Sequence, residues 1–117
     1  MVREQTKRGK LGEAMAVDYF TSLGFSIEAR NWRHGRGEID IIARDGECLL
    51  FVEVKVRKGV SFGFPESFVG RRQVELYHEG ATQFLEEVGW SGAIRFDIIA
   101  IIIKGEEWHF RHFEDAF

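Results

Sequence analysis

Gly37-Glu38-Ile39-Asp40-Ile41-Ile42-Ala43-Arg44-Asp45-Gly46-Glu47-Cys48-Leu49-Leu50-Phe51-Val52-Glu53-Val54-Lys55-Val56-Arg57 is the stretch on which the fold turns. Two runs rich in Ile, Val, Leu and Phe flank Asp45-Gly46. Asp-Gly between such runs is the strongest short-range sign of a β-hairpin. With Asp45 and Gly46 as the turn residues, Arg44 faces Glu47, Asp40 faces Phe51 and Glu38 faces Glu53. Side chains alternate along a strand and cross-strand partners share a face. Glu38, Asp40, Glu53 and Lys55 therefore lie on one face, with Asp40 diagonal to Glu53 at roughly 7–8 Å between side-chain bases. Leu50, Val52, Val54 and Val56 take the opposite face, which reads as core.

Three carboxylates and a lysine inside an otherwise apolar run require a physical account. A buried carboxylate without a partner either shifts its pKa or takes up a cation. Oxygen ligands at this separation suit a hard cation, Mg²⁺ or Mn²⁺. The competing account is a plain surface ion pair between Glu53 and Lys55, of little energetic worth. On that account Glu38 against Glu53 is a like-charge pair that disfavours folding unless something positive lies between them. The metal reading is the better of the two.

The rest of the chain bounds the setting. Its 117 residues suffice for one domain with a real core, spanning 1–117, and are too few for two. A hydrophobic share of 44% with eleven Phe argues against disorder. The net charge of −3 gives no support for nucleic-acid binding by itself, but the charges are polarised. Met1–Lys10 carries Arg3, Lys7, Arg8 and Lys10 against Glu4, Arg30–Arg36 holds Arg30, Arg33 and Arg36 without an acid, and Arg57-Lys58 and Arg71-Arg72 follow. Acidic residues gather at Glu75–Glu87 and Glu106–Asp115. One basic side is compatible with a phosphate-backbone partner, although charge clusters are commonly just solvated faces. The single Cys48 excludes an internal disulfide and a Cys-based zinc site, and reads as a small apolar residue in a strand. The apolar run Ile98–Ile103 falls far short of the roughly 18 residues that span a bilayer. The N-terminus has no signal-peptide core, so a cytoplasmic protein without a membrane partner is expected.

Apolar residues at helical spacing predict a first helix over Lys10–Leu23, stopped by Gly24, with Glu13 in its first turn, where a carboxylate complements the helix dipole. Phe25–Arg30 alternates as a strand, and Asn31–Arg36 reads as a basic loop in which Trp32 either stacks on a base or is core at a strand end. After the hairpin, Gly59–Pro65 is a glycine-punctuated loop bordering the acidic face. Its Val60, Phe62 and Phe64 either line a groove or pack beneath the loop. A second helix is expected from about Ser67 to Val88, stopped by Gly89. Within it Gln73 and Tyr77 share a face, and plain amphipathicity accounts for Tyr77. Ala93–Ile103 is a strand apolar on both faces, hence central or covered by helices, and Trp108–Phe113 is an edge strand. His109 and His112 point to opposite strand faces and make poor joint metal ligands. The fold class is α/β: an α/β sandwich with a mixed five-stranded sheet flanked by helices.

Gly37-Glu38-Ile39-Asp40 followed by Phe51-Val52-Glu53-Val54-Lys55-Val56-Arg57 resembles the signature of the YraN-like family of small bacterial proteins. Gly9-Lys10-Leu11-Gly12-Glu13 with Ala16, Asn31-Trp32-Arg33, Arg95-Phe96-Asp97 and Ala116-Phe117 extend the resemblance over nearly the whole chain. That family is assigned to the restriction-endonuclease-like superfamily, whose site motif is written PD-(D/E)xK. The resemblance implies a Mg- or Mn-dependent endonuclease that hydrolyses phosphodiester bonds in DNA, with branched or structured substrates such as those of junction resolvases. It implies Asp40, Glu53 and the main-chain carbonyl of Val54 as metal ligands, Glu38 at a second metal or in the outer shell, Lys55 as the group acting on the attacking water, and Glu13 as a helix-borne carboxylate that positions the metal. Ile39 stands where the motif has proline, which removes no ligand. Gln73 and Tyr77 match the spacing of an accessory substrate-contacting motif in some nucleases of the superfamily, whereas YraN-like sequences more often have a lysine near Gln73. Arg33, Arg36, Arg57 and Arg72 are the candidate nucleic-acid contacts. A two-fold symmetric junction as substrate would call for a homodimer. A non-catalytic nucleic-acid-binding or protein-interaction module of the same fold is the alternative.

Overall fold

The computed structural model describes residues 7–59 and 61–117. Arg3 and Glu4 of the basic N-terminal segment and Val60 of the loop lie outside them. The order is α1 (Lys7–Ser22), β1 (Ser26–His34), β2 (Gly37–Asp45), β3 (Cys48–Lys58), a 3-10 turn (Pro65–Ser67), α2 (Arg71–Val88), β4 (Ala93–Lys104) and β5 (Glu107–Phe113). The strands lie in the sheet in chain order, with β3 and β4 parallel and the other neighbours antiparallel. This is the expected mixed five-stranded sheet with helices on both faces.

Each face is buried by a different helix, which is why β2, β3 and β4 read as continuous apolar runs rather than alternating ones. On one face Ala16 and Phe20 of α1 pack on Ile41, Ala43, Leu50, Val52, Ile99 and Ile101. On the other, Tyr77, Ala81 and Phe84 of α2 pack on Ile39, Ile42, Leu49 and Phe51. The part of that second face over β4 is reached by α2 only at its start, through Val74. Phe68 and Val69, from the segment before α2, cover Ile98, Ala100 and Ile102 there.

The hairpin forms as expected, but its turn is one residue further on. Asp45 pairs with Cys48 around Gly46 and Glu47, Gly46 having φ +58°. Glycine thus takes the first turn position, which favours a positive φ, rather than the second. Ile42, not Asp40, faces Phe51, and the pairing of Glu38 with Glu53 is overturned. The shift amounts to two positions in the pairing, so within the paired stretch Ile41–Asp45 and Cys48–Val52 the side chains keep their expected faces; Ile39, beyond it, packs on the other face with Ile42. Glu38 instead meets Arg33 of β1 across the sheet, at 3.1 Å.

Three other boundaries differ. The first helix begins by Lys7, so Glu13 sits in its second turn and the dipole account of it does not apply. Gly24 at φ +87° ends α1, with the Phe25 N–H returning to the Phe20 carbonyl at 3.0 Å. β1 continues to His34, through a bulge near Ile27 and a positive φ at Asn31, so only Gly35 and Arg36 remain as loop. Trp32 is accordingly a strand residue packed edge-on against Phe84 at 5.5 Å, part of the core. α2 starts at Arg71 rather than Ser67 because the chain first makes the 3-10 turn that seats Phe68. Its end at Gly89, φ +67°, is as expected.

Candidate functional site

The β2–β3 ladder runs from Asp45↔Cys48 to Ile41↔Val52 and ends there. Ile41 and Ala43 pack toward α1 and Ile42 toward α2, yet Ile39 also packs toward α2. Residues of opposite parity on one face mean that strand alternation breaks between them, at Asp40. Asp40 Oδ2 accepts a hydrogen bond from the Val54 N–H at 2.8 Å, a side chain standing in for a ladder partner. The Tyr77 hydroxyl accepts from the Asp40 N–H and donates to the Val52 carbonyl, each at 3.2 Å. N–H and C=O of one strand residue leave on the same edge, so the Val54 carbonyl opens toward this same gap.

A cleft of about 840 Å³ surrounds the gap, reaching from the start of α1 to the start of α2. Its carboxylates are Glu13, Glu38, Asp40 and Glu53, and its cationic groups are Lys7, Arg8, Arg33, Arg36, Lys55 and Arg57. Glu53 is buried, with Oε1 3.2 Å from Lys55 Nζ and Oε2 accepting from Gln73 Nε2 at 3.2 Å. Glu13, also buried, comes from α1. The helix can bring it so near because Gly12 precedes it: a Cβ on Gly12 would collide with Val56 Cγ2 and crowd Ile101.

Charge is unevenly balanced in this cleft. Burial, then the Glu53 charge, and at longer reach Glu13 and Glu38, push the Asp40 carboxyl well above its ordinary value, against the opposing effect of the Val54 N–H. Tyr77 is fully buried, and burial followed by the charges of Glu53 and Asp40 pushes its phenol up, so it remains a protonated donor. Among the described residues no three His, Cys, Asp or Glu side chains are arranged to hold a metal ion. The donor chemistry nevertheless fits a hard divalent cation: carboxylate and carbonyl oxygens only, around a carboxyl whose charge is opposed by its neighbours. Asp40 Oδ2 receives the Val54 N–H, which leaves Oδ1 to face such an ion.

Of the candidate metal, catalytic and nucleic-acid contacts, all but Arg72 and Tyr77 line the cleft, whereas Trp32, Phe62 and Phe64 do not. Arg72 is exposed and paired with Glu75 at 3.1 Å. Tyr77, with no exposed surface, braces the two strands and cannot touch a ligand directly. Arg57 donates to the Ser67 carbonyl at 3.2 Å and lies 4.7 Å over the Phe68 ring. A second polar cluster escaped sequence reasoning. Asp97, fully buried on β4, accepts both Arg95 Nε and Nη2 at 2.8 Å and meets His112 Nε2 at 2.7 Å, while His112 Nδ1 contacts the Tyr19 hydroxyl at 2.9 Å. The signal was present: an aspartate inside an apolar strand, as at Asp40.

The family model described as uncharacterised protein family UPF0102 matches residues 12–101. A UPF0102 protein from Flavobacterium psychrophilum is 38% identical over 114 residues, covering 97% of this chain and 96% of its own. One from Geotalea daltonii is 43% identical over 111 residues, covering 93% and 87%. Among solved structures, a Holliday junction resolvase from Archaeoglobus fulgidus superimposes with a TM-score of 0.52 at 20% identity, over 91% of this chain and 76% of that one. The fold is thus similar to that of the archaeal resolvase, and the YraN-like resemblance is borne out by the family match. No described helix is long and apolar enough to cross a membrane.

Proposed function

This chain belongs to the UPF0102 family, and from its cleft we propose that it is a single-domain, metal-dependent nuclease of the cytoplasm that hydrolyses phosphodiester bonds in branched or structured DNA. The observation that carries this reading is the convergence of Asp40, Glu53 and Lys55 where β2 and β3 part, beneath a rim of Lys7, Arg8, Arg33, Arg36 and Arg57. The fold shared with the archaeal resolvase supports the choice of branched DNA, and with it a homodimer offering two clefts to a two-fold symmetric junction.

Asp40, Glu53 and the Val54 carbonyl would hold Mg²⁺ or Mn²⁺, with Glu38 and Glu13 completing its outer surroundings. Such an ion, when bound, polarises the scissile phosphate and lowers the pKa of a bound water. Lys55 orients the attacking water and offsets the charge that develops on the phosphorane. Gln73 holds Glu53 at the oxygen that Lys55 does not take. Tyr77 keeps the strands parted at Asp40, and the arginines of the rim attract the phosphate backbone and align it.

Incubation of the protein with Mn²⁺ or Mg²⁺ and labelled single-stranded, duplex, flap and four-way-junction DNA, beside Lys55→Ala, tests the reading. Cleavage by the wild type that the variant loses is the expected result. Cleavage that survives Lys55→Ala would overturn the assigned chemistry. A second reading, a binding module of the same fold, draws on Lys55 already neutralising Glu53; bands that shift without cleavage and fade steeply with salt would select it.

A further inference from the structure

Phe64 is 74% exposed, more than any other large apolar side chain among the described residues, and the cleft chemistry does not use it. Its loop is nevertheless tightly fastened. The Phe64 carbonyl accepts from both the N–H and the hydroxyl of Ser67, at 3.0 and 2.7 Å. The Ser67 carbonyl in turn accepts from Arg57, whose guanidinium lies over Phe68, and Phe68 is buried against β4 and β5. Gly63, immediately before, has φ +71°, a conformation that an L side chain rarely adopts. The other aromatic of this loop, Phe62, packs inward on the same cluster.

An exposed aromatic ring held by an anchored backbone presents a fixed face on which a partner can stack. Arg57, at the other end of this chain of contacts, lines the cleft, so a phosphate backbone lying over the cleft also passes the loop that carries Phe64. A ring beside a cationic track suits an unpaired base, whose face stacks on aromatics regardless of sequence. Blunt duplex offers no such face, because its bases are already stacked on one another.

We propose that Phe64 is a stacking residue that recognises unpaired or splayed bases, making single-stranded and branch-point nucleic acid the preferred substrate class of the cleft. This rests on the nuclease reading above. Loss of one base stack corresponds to a loss of affinity of roughly 5- to 140-fold.

The test is equilibrium binding by fluorescence anisotropy, without divalent metal, of labelled single-stranded, flap, four-way-junction and blunt duplex oligonucleotides to wild type, Phe64→Ala and Phe64→Trp. Thermal melts run alongside check that the exposed substitutions leave the fold intact. Phe64→Ala is expected to lose that factor on single-stranded, flap and junction DNA, to stay within about twofold on duplex, and to be rescued by Phe64→Trp. Equal loss on duplex, or no loss on any substrate, would overturn the stacking role while leaving the nuclease reading in place. Absence of binding and of cleavage by the wild type itself would remove both.

Discussion

Two groups of charged side chains are set into the same sheet, and they are balanced in opposite ways. Asp97 is entirely buried, yet hydrogen bonds from His112, Arg95 and the Asp115 N–H overcome the cost of burial and hold its carboxyl below the ordinary value. For Asp40, burial and then its carboxylate neighbours push the carboxyl well up. Burial works against both charges; the difference is that Arg95 and His112 hold Asp97, whereas a backbone N–H holds Asp40. A carboxylate matched by cations is fastening; the Asp40 carboxyl, held by a backbone N–H at the edge of the cleft, is on the proposed function where a cation would bind.

The most direct way to break this comparison is to remove each aspartate in turn. Asp97→Ala strands Arg95 and His112 and is expected to cost about 3 kcal/mol in urea unfolding, with little direct effect on chemistry in the cleft. Because the folded-state carboxyl of Asp97 lies below its unfolded value, its contribution is fully present above about pH 4 and fades as pH falls through the lower, folded value. Wild type and Asp97→Asn should therefore converge in stability under strong acid, when unfolding is followed across a pH series. On the proposed function, Lys55→Ala should lower nuclease activity by roughly 10²- to 10³-fold and also lower stability, because buried Glu53 loses its cation; rates and melts of the same preparation separate the two effects.

Mn²⁺ sharpens the contrast. A hundredfold excess over its dissociation constant should stabilise the wild type by about 2.7 kcal/mol and should do nothing for an Asp40→Ala, Glu53→Ala double variant; calorimetric titration checks the binding directly. The smallest effect has the most telling sign. Asp40→Asn, in chelator at neutral pH, should raise stability by up to about 1 kcal/mol by removing a like charge, where the same change at Asp97 lowers it.

The sequence made the hairpin and its faces legible because a strand has a period of two, and an error of two in the register leaves that parity untouched. Asp-Gly announces a turn without saying whether Gly occupies its first or second position, and the pairing of Asp45 with Cys48 decides. The grouping of Asp40, Glu53 and Lys55 followed from parity alone. What brings Glu13 to them did not, since it depends on how closely α1 lies on β3 at Gly12, a matter of packing. Tyr77 was legible as an amphipathic helix residue, but that its hydroxyl bridges two strands depends on where their ladder stops. His112 found its partner on the neighbouring strand, at a sequence distance that no local pattern encodes.

The parallel pairing of β3 with β4, Cys48 beside Ala93 through to Lys58 beside Ile103, bears on how the chain assembles. β1 to β3 form a meander and β4 and β5 a hairpin, each from near neighbours, whereas the seam between them must wait for the intervening loop and helix. Two peptides severed within the loop between β3 and the 3-10 turn would each keep their own local pairings and should recombine along that seam and the helix faces that straddle it, α1 on β4 and α2 on β2 and β3. The halves would bring the acidic strands on one piece and Gln73 and Tyr77 on the other, so recovery of activity on mixing would report the seam closing.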